Sequence, residues 1–181
     1  MKYLSFFILL FIGELSVSAQ HMFSRQFPFF NQLSSNEIFS IHQDREGYFW
    51  IGTTNGLARY DGYQLNTFRT DYKNQNLLTD NGITAINDND LYVWIGTWKG
   101  LNLYNKQTCR ITPFPDARLL DKVVDAITVD KDGNVWVSAG GMIYRCDSTA
   151  HIIKEYEVGN IQEGYAISNI YVDQQKQLWA V

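Results

Sequence analysis

The chain has 181 residues, of which 45% are hydrophobic, 15% aromatic and 19% charged, with a formal net charge of −4. That length admits one domain of ordinary size. The mild acidity excludes a nucleic-acid groove, which needs a basic stripe, and two cysteines, Cys109 and Cys146, are too few for a disulfide framework.

Residues 1–19 read as a secretory signal peptide. Lys2 gives a positive start, Tyr3 to Ile12 is a short apolar run, and Val17-Ser18-Ala19 is a small-residue cleavage site. Export follows. Residues 20–34 are expected as a lead-in strand, and from Ser35 a pattern begins that recurs to the C-terminus.

The first unit, about 35–77, contains EIFSIHQ (37–43), YFWIGT (48–53), LARYD (57–61) and YQLNTFR (63–69). Each is β-rich, and turn chemistry separates them. Asp44-Arg45-Glu46-Gly47 closes the first hairpin, Gly supplying the positive φ and Asp capping its own backbone. Units two, three and four span about 78–119, 120–162 and 163–181, the last one partial. Their landmarks keep one register. Trp50, Trp94, Trp136 and Trp179 are 44, 42 and 43 residues apart, and Asp44, Asp88, Asp130 and Asp173 each stand six residues before a Trp. Apolar pairs three apart precede the acids, at Ile38/Ile41, Ile83/Ile86, Val124/Ile127 and Ile167/Ile170. Phe68, Phe114 and Tyr156 close the complete units.

Four short antiparallel strands repeated at this period specify an all-β fold of β-propeller blades, three complete and one partial. The Trp lies on the second strand, where it fills the wedge between sheets, and Gly52 and Gly96 allow close strand passage. Three and a half blades make an incomplete propeller, so the remaining blades of a longer parent chain are expected as partners. Cys109 and Cys146 fall at different offsets in their units and are expected as separate thiols.

The unit I-x-x-I-x-x-D-x-x-G-x-x-W-I-G-T-x-x-G-L-x-x-Y-D, from Ile38 to Asp61, resembles the two-component regulator propeller repeat. The resemblance is strong in the first copy, good in the second and weaker in the third. It implies the N-terminal periplasmic sensor region of a Bacteroides-type hybrid two-component histidine kinase. Such a parent is anchored in the inner membrane, forms a homodimer, and recognises carbohydrate breakdown products to control glycan-utilisation genes. An oligosaccharide or other small ligand is thereby implied as partner.

No catalytic residues, metal ligands or cofactor motifs are read in this chain. His42 alternates away from the core-facing Ile41 and is expected at the surface or between blades. The acidic turns lack the calcium-loop pattern and read as structural. The exception to the repeat is Trp98, in the loop after the second strand of unit two. It stands beside Lys99, where the first copy has Thr54 and Asn55 and the third has Gly140 and Gly141. Trp98, Lys99 and Asn55 are the candidate ligand-binding residues, an aromatic platform with polar neighbours. The plainer alternative is that Trp98 packs on an adjacent loop. Two rival readings stay open for the whole: a fragment of a secreted propeller glycosidase or lyase, which needs converging catalytic groups, and a non-catalytic interaction propeller.

Overall fold

The structure, a computed structural model, describes residues 27–70, 77–158 and 167–181. The expected signal peptide, the first part of the lead-in and the connections at 71–76 and 159–166 lie outside the described residues. No described helix is long and apolar enough to cross a membrane.

Four antiparallel sheets follow one another, each with its strands in chain order. The first holds β1 (Ile38–Gln43), β2 (Phe49–Thr53), β3 (Gly56–Tyr60) and β4 (Leu65–Phe68). The second holds β5 (Ile83–Asp88), β6 (Tyr92–Thr97), β7 (Gly100–Asn105) and β8 (Arg110–Pro113). The third holds β9 (Val124–Val129), β10 (Val135–Ala139), β11 (Met142–Cys146) and β12 (Ile152–Glu157). The fourth is a pair, β13 (Ile170–Val172) and β14 (Leu178–Ala180). Neighbouring sheets meet through their first strands, β1 on β5, β5 on β9 and β9 on β13. That is the arrangement of propeller blades, with the first strand innermost.

The inter-sheet cores follow the repeat. Trp50 is fully buried and packs with Ile83, Ile86 and Tyr104 of the second sheet. Burying an indole contributes about 2–3 kcal/mol. The unit-closing aromatics lie against the same Trp residues: Phe68 at 6.2 Å from Trp50, Phe114 at 5.8 Å from Trp94 and Tyr156 at 5.5 Å from Trp136. Gly52 and Gly96 sit where the sheets come closest. A Cβ on Gly52 would lie 2.6 Å from Ile83 Cγ2, and one on Gly96 would lie 2.6 Å from Val124 Cγ1. In the third sheet Ser138 fills that place, fully buried, with its hydroxyl unpaired.

Three expectations need correction. The lead-in, over its described residues 27–34, is a turn and a short 3-10 helix (Phe30–Gln32), not a strand. Ile41, read as core-facing, is 64% exposed, and its pair Ile38 is 39% exposed, because no described sheet covers that side of β1; their counterparts Ile83 and Ile86 are buried under the first sheet.

The third concerns the acid of unit two. In the first sheet His42 pairs with Trp50 and Gln43 with Phe49, after which Asp44 opens the turn. In the second Asn87 pairs with Trp94 and Asp88 with Val93, so Asn89 stands where Asp44 does. The turn is one residue shorter, and Asp88 is a strand residue. The hydrogen bonds agree. Asp44 Oδ2 accepts from Trp50 Nε1 at 2.7 Å, and Asp130 and Asp173 accept from Trp136 and Trp179 at 3.0 Å. Trp94 Nε1 is buried without a partner. Asn89 Oδ1 accepts from the Leu91 and Tyr92 amides, and its Nδ2 donates to Ser148 O. The atom in the place of a carboxylate oxygen is therefore a donor.

Candidate functional site

The turns from second to third strand lie at the end of the sheets where the first strands begin. Thr54-Asn55 and Trp98-Lys99 are two-residue turns set between Thr53 and Gly56 and between Thr97 and Gly100. Gly56 and Gly100 take the positive φ, +126° and +125°, leaving ordinary backbone conformations for the residues that carry side chains. In the third sheet Gly140 and Gly141 themselves have positive φ, so that turn presents no side chain.

Trp98 is 45% exposed. Its amide donates to Gly82 O at 3.1 Å, and one face of its ring lies on Gly82, where a Cβ would sit 2.5 Å from Trp98 Cε3. Its edge meets Phe39, with ring centroids 6.2 Å apart and planes at 66°. Phe39 is itself 57% exposed. It is the extra residue of a bulge between Ile38 and Ser40, which turns it out of the strand's alternation toward the second sheet. Lys99 Nζ stands 3.9 Å from Asp80 Oδ2, while Asp80 Oδ1 accepts from the Gly82 amide at 2.8 Å.

The floor beneath is tied by hydrogen bonds. Thr97 Oγ1 donates to Gly100 O, and Thr79 exchanges hydrogen bonds with Asn102 and Thr97. Trp98 and Lys99 thus join one patch, with Phe39 and Asp80 as members the sequence reading missed. Asn55 does not join them. Its Nδ2 donates to Ser34 O at 3.3 Å and its carbonyl accepts from Arg69 Nε at 2.9 Å, which ties it to the lead-in and to the residues after β4. Two aromatic surfaces beside an ion pair suit an amphipathic ligand with apolar faces and polar edges.

At the opposite end of the sheets lies a charged cluster with a different role. The buried Asp88 carboxylate accepts from His42 Nε2 and Lys106 Nζ, both at 2.7 Å, and from the Arg45 amide at 3.3 Å. Arg45 also pairs with Asp90. Burial pushes the Asp88 pKa up, but the bonds from His42 and Lys106 outweigh it and hold the carboxyl down at about 2. His42 and Arg45 belong to the first sheet and its turn, Asp88 and Lys106 to the second, so the cluster clasps two blades. That is the inter-blade position expected for His42. Among the described residues no group of three or more His, Cys, Asp or Glu side chains could hold a metal. The thiols are separate, Cys109 exposed and Cys146 buried. Burial, with Asp147 and Asp116 nearby, pushes the Cys146 pKa up to about 12.

The two component regulator propeller family profile matches residues 32–55. No curated protein matches the chain. Among solved structures, the extracellular domain of a putative hybrid two component system from B. thetaiotaomicron is 23% identical, with a TM-score of 0.68 over 82% of this chain and 22% of that one. A second such domain from the same organism gives 21% identity and a TM-score of 0.64, over 82% of this chain and 20% of that one. Virginiamycin B lyase from Staphylococcus aureus gives 19% identity and a TM-score of 0.60, over 80% of this chain and 48% of that one. The chain spans about a fifth of the length of the first of these structures. The resemblance read from the repeat is borne out by the profile over residues 32–55, and the propeller fold by the structures.

Proposed function

We propose that this chain is part of the ligand-sensing β-propeller of an exported hybrid two-component sensor, and that it binds without catalysis. The ligand is a carbohydrate breakdown product, held against the Trp98–Phe39 platform with Lys99 and Asp80 at its edge. Its parent is a histidine kinase with a periplasmic sensor region, anchored in the inner membrane as a homodimer and controlling glycan-utilisation genes. The family profile and the fold of the extracellular neighbours support the sensor reading. One observation carries the site: two large aromatic side chains, half exposed and in contact, Trp98 on a turn fixed from below and Phe39 on the bulge of β1. Sugar rings present apolar C–H faces and hydroxyl edges, the complement of such a platform.

The test is calorimetric titration of the chain and of Trp98→Ala with a panel of defined oligosaccharides. At least one sugar should bind the native chain and lose tenfold or more in affinity to the variant, with the circular dichroism spectrum unchanged. Binding that survives Trp98→Ala would move the site elsewhere, and unfolding of the variant would make Trp98 a packing residue.

A further inference from the structure

We propose that the ligand of the Trp98 platform is an oligosaccharide with a free amino group, and that its ammonium pairs with Asp125 on the third blade. This deepens the carbohydrate reading, on which it rests, by naming the chemistry at the far end of the same site.

The inner strands of the three complete blades share one irregularity. β1 bulges between Ile38 and Ser40, β5 between Ile83 and Ala85, and β9 between Val124 and Ala126. Phe39, Thr84 and Asp125 are therefore one position on successive blades, each the extra residue that the ladder leaves unpaired. All three lie at the turn end of their sheets, since Ile38 pairs with Thr53, Ile83 with Thr97 and Val124 with Ala139. Phe39 reaches the second sheet, where it meets Trp98. Thr84 reaches the third, its Oγ1 donating to Val124 O at 2.5 Å, and Asp125 follows directly in the chain. The third blade leaves this stretch open. In the second blade the ring of Trp98 covers Gly82. In the third the turn is Gly140-Gly141, and Val123, the counterpart of Gly82, is 44% exposed. A second sugar ring, next to the one on Trp98, can lay its C–H face there with Asp125 at its edge.

The charge of Asp125 decides which sugar. Phe39 and Thr84 are satisfied within the protein, one by an aromatic contact and the other by a hydrogen bond. Asp125 is half-buried, and among the described residues nothing donates to its carboxylate. The lysines of this end are engaged elsewhere: Lys99 stands by Asp80, and Lys122 Nζ donates to Tyr144 Oη at 2.7 Å. Burial acts on the Asp125 carboxyl without an opposing bond and pushes its pKa up. A carboxylate drawn out of water without a partner is costly, and a cation that reaches it relieves that cost. An ammonium does so better than a hydroxyl because its hydrogen bond is charge-assisted. An acidic sugar at the same place meets like charge and is rejected.

The claim is tested by calorimetric titration of the native chain, Asp125→Asn and Trp98→Ala with chitosan, cellulose and chitin tetrasaccharides at mildly acidic pH. The three sugars share one linkage and differ in a single ring substituent, an amine, a hydroxyl or an acetamide. The native chain should bind the amine at least tenfold more tightly than either neutral sugar. Asp125→Asn should remove that advantage and leave the affinity for the neutral sugars unchanged, while Trp98→Ala should weaken all three alike. The proposal is overturned if the amine sugar does not bind, if a neutral sugar binds the native chain as tightly, or if the amine's advantage survives Asp125→Asn. Neutral sugars that bind through Trp98 with no gain from the amine end this proposal and leave the platform standing. An amine preference that needs Asp125 and ignores Trp98→Ala ends the platform reading instead, so the two failures are separate results.

Discussion

Asp44→Asn replaces one carboxylate oxygen by an amide nitrogen and isolates the bond that fixes three of the four wedge tryptophans. Asp44 and Trp50 are both buried; Oδ2 accepts from Trp50 Nε1 at 2.7 Å, and Oδ1 accepts from the Glu46 and Tyr48 amides at 3.0 Å. Asparagine can keep Oδ1 on the turn amides, and then its Nδ2 faces the indole N–H, donor against donor. A hydrogen bond to a charged group contributes about 1.5–3 kcal/mol, and a buried donor left unsatisfied costs about 1–3 kcal/mol. The two overlap, so the expected loss is about 3 kcal/mol. Unfolding in urea, followed by tryptophan fluorescence, should show the midpoint falling by about 1 M or more, given a slope of about 1–3 kcal/mol/M. In a Trp50→Phe background the same substitution has no indole N–H to orphan, and its cost should drop by about 2 kcal/mol, the coupling energy of the pair. A loss below about 0.5 kcal/mol in the native background, or equal losses in both, would refute the reasoning. The second blade already contains the arrangement that Asp44→Asn would create, with Asn89 at the turn and Trp94 Nε1 unpaired.

The Asp88 clasp predicts a pH dependence. Its folded pKa, about 2, lies below the ordinary value of 3.8, so the stabilisation is present above about pH 4 and is lost as pH falls through about 2. Urea midpoints at pH 5, 4, 3 and 2 should show the gap between the native chain and Asp88→Asn closing over that range; a constant gap would remove Asp88 as the cause. At neutral pH Asp88→Asn should cost about 3 kcal/mol, because it leaves the buried Lys106 ammonium without its counter-charge. For the thiols, a maleimide at neutral pH should label Cys109 alone in the folded chain and both cysteines in denaturant, read by mass spectrometry.

Much of the fold was legible because a propeller repeats its physics locally. The period, the strand patterns and the turn glycines are nearest-neighbour matters, and Gly47 and Gly133 do take positive φ as their turns require. What escaped was set at longer range. Ile38 and Ile41 are exposed because no described sheet covers that side of β1, so a core-like pattern produced an exposed face. The acid of unit two was misplaced because its six-residue distance from Trp94 hides a turn shortened by one. The apolar pair held the correct signal: Asp44, Asp130 and Asp173 lie three residues after Ile41, Ile127 and Ile170, while Asp88 lies two after Ile86 and Asn89 lies three. In the candidate site, Trp98 and Lys99 were visible as a departure from the repeat. Phe39 was not: the three-residue spacing of the apolar pairs is the mark of the bulge, but a period-2 reading does not convert it into the direction of the residue between them, and Asp80 joins only through the fold of the connection.

The central claim is that a ligand is read by an exposed aromatic platform on an otherwise structural set of tryptophans. The chain has five tryptophans, and only Trp98 lies outside the wedge positions. Two-dimensional NMR of the five indole N–H signals during titration with an oligosaccharide panel therefore tests it most directly. The account predicts that one sugar shifts the Trp98 signal while those of Trp50, Trp94, Trp136 and Trp179 hold still. Shifts confined to the wedge tryptophans, or a bound sugar that leaves Trp98 unmoved, would contradict it.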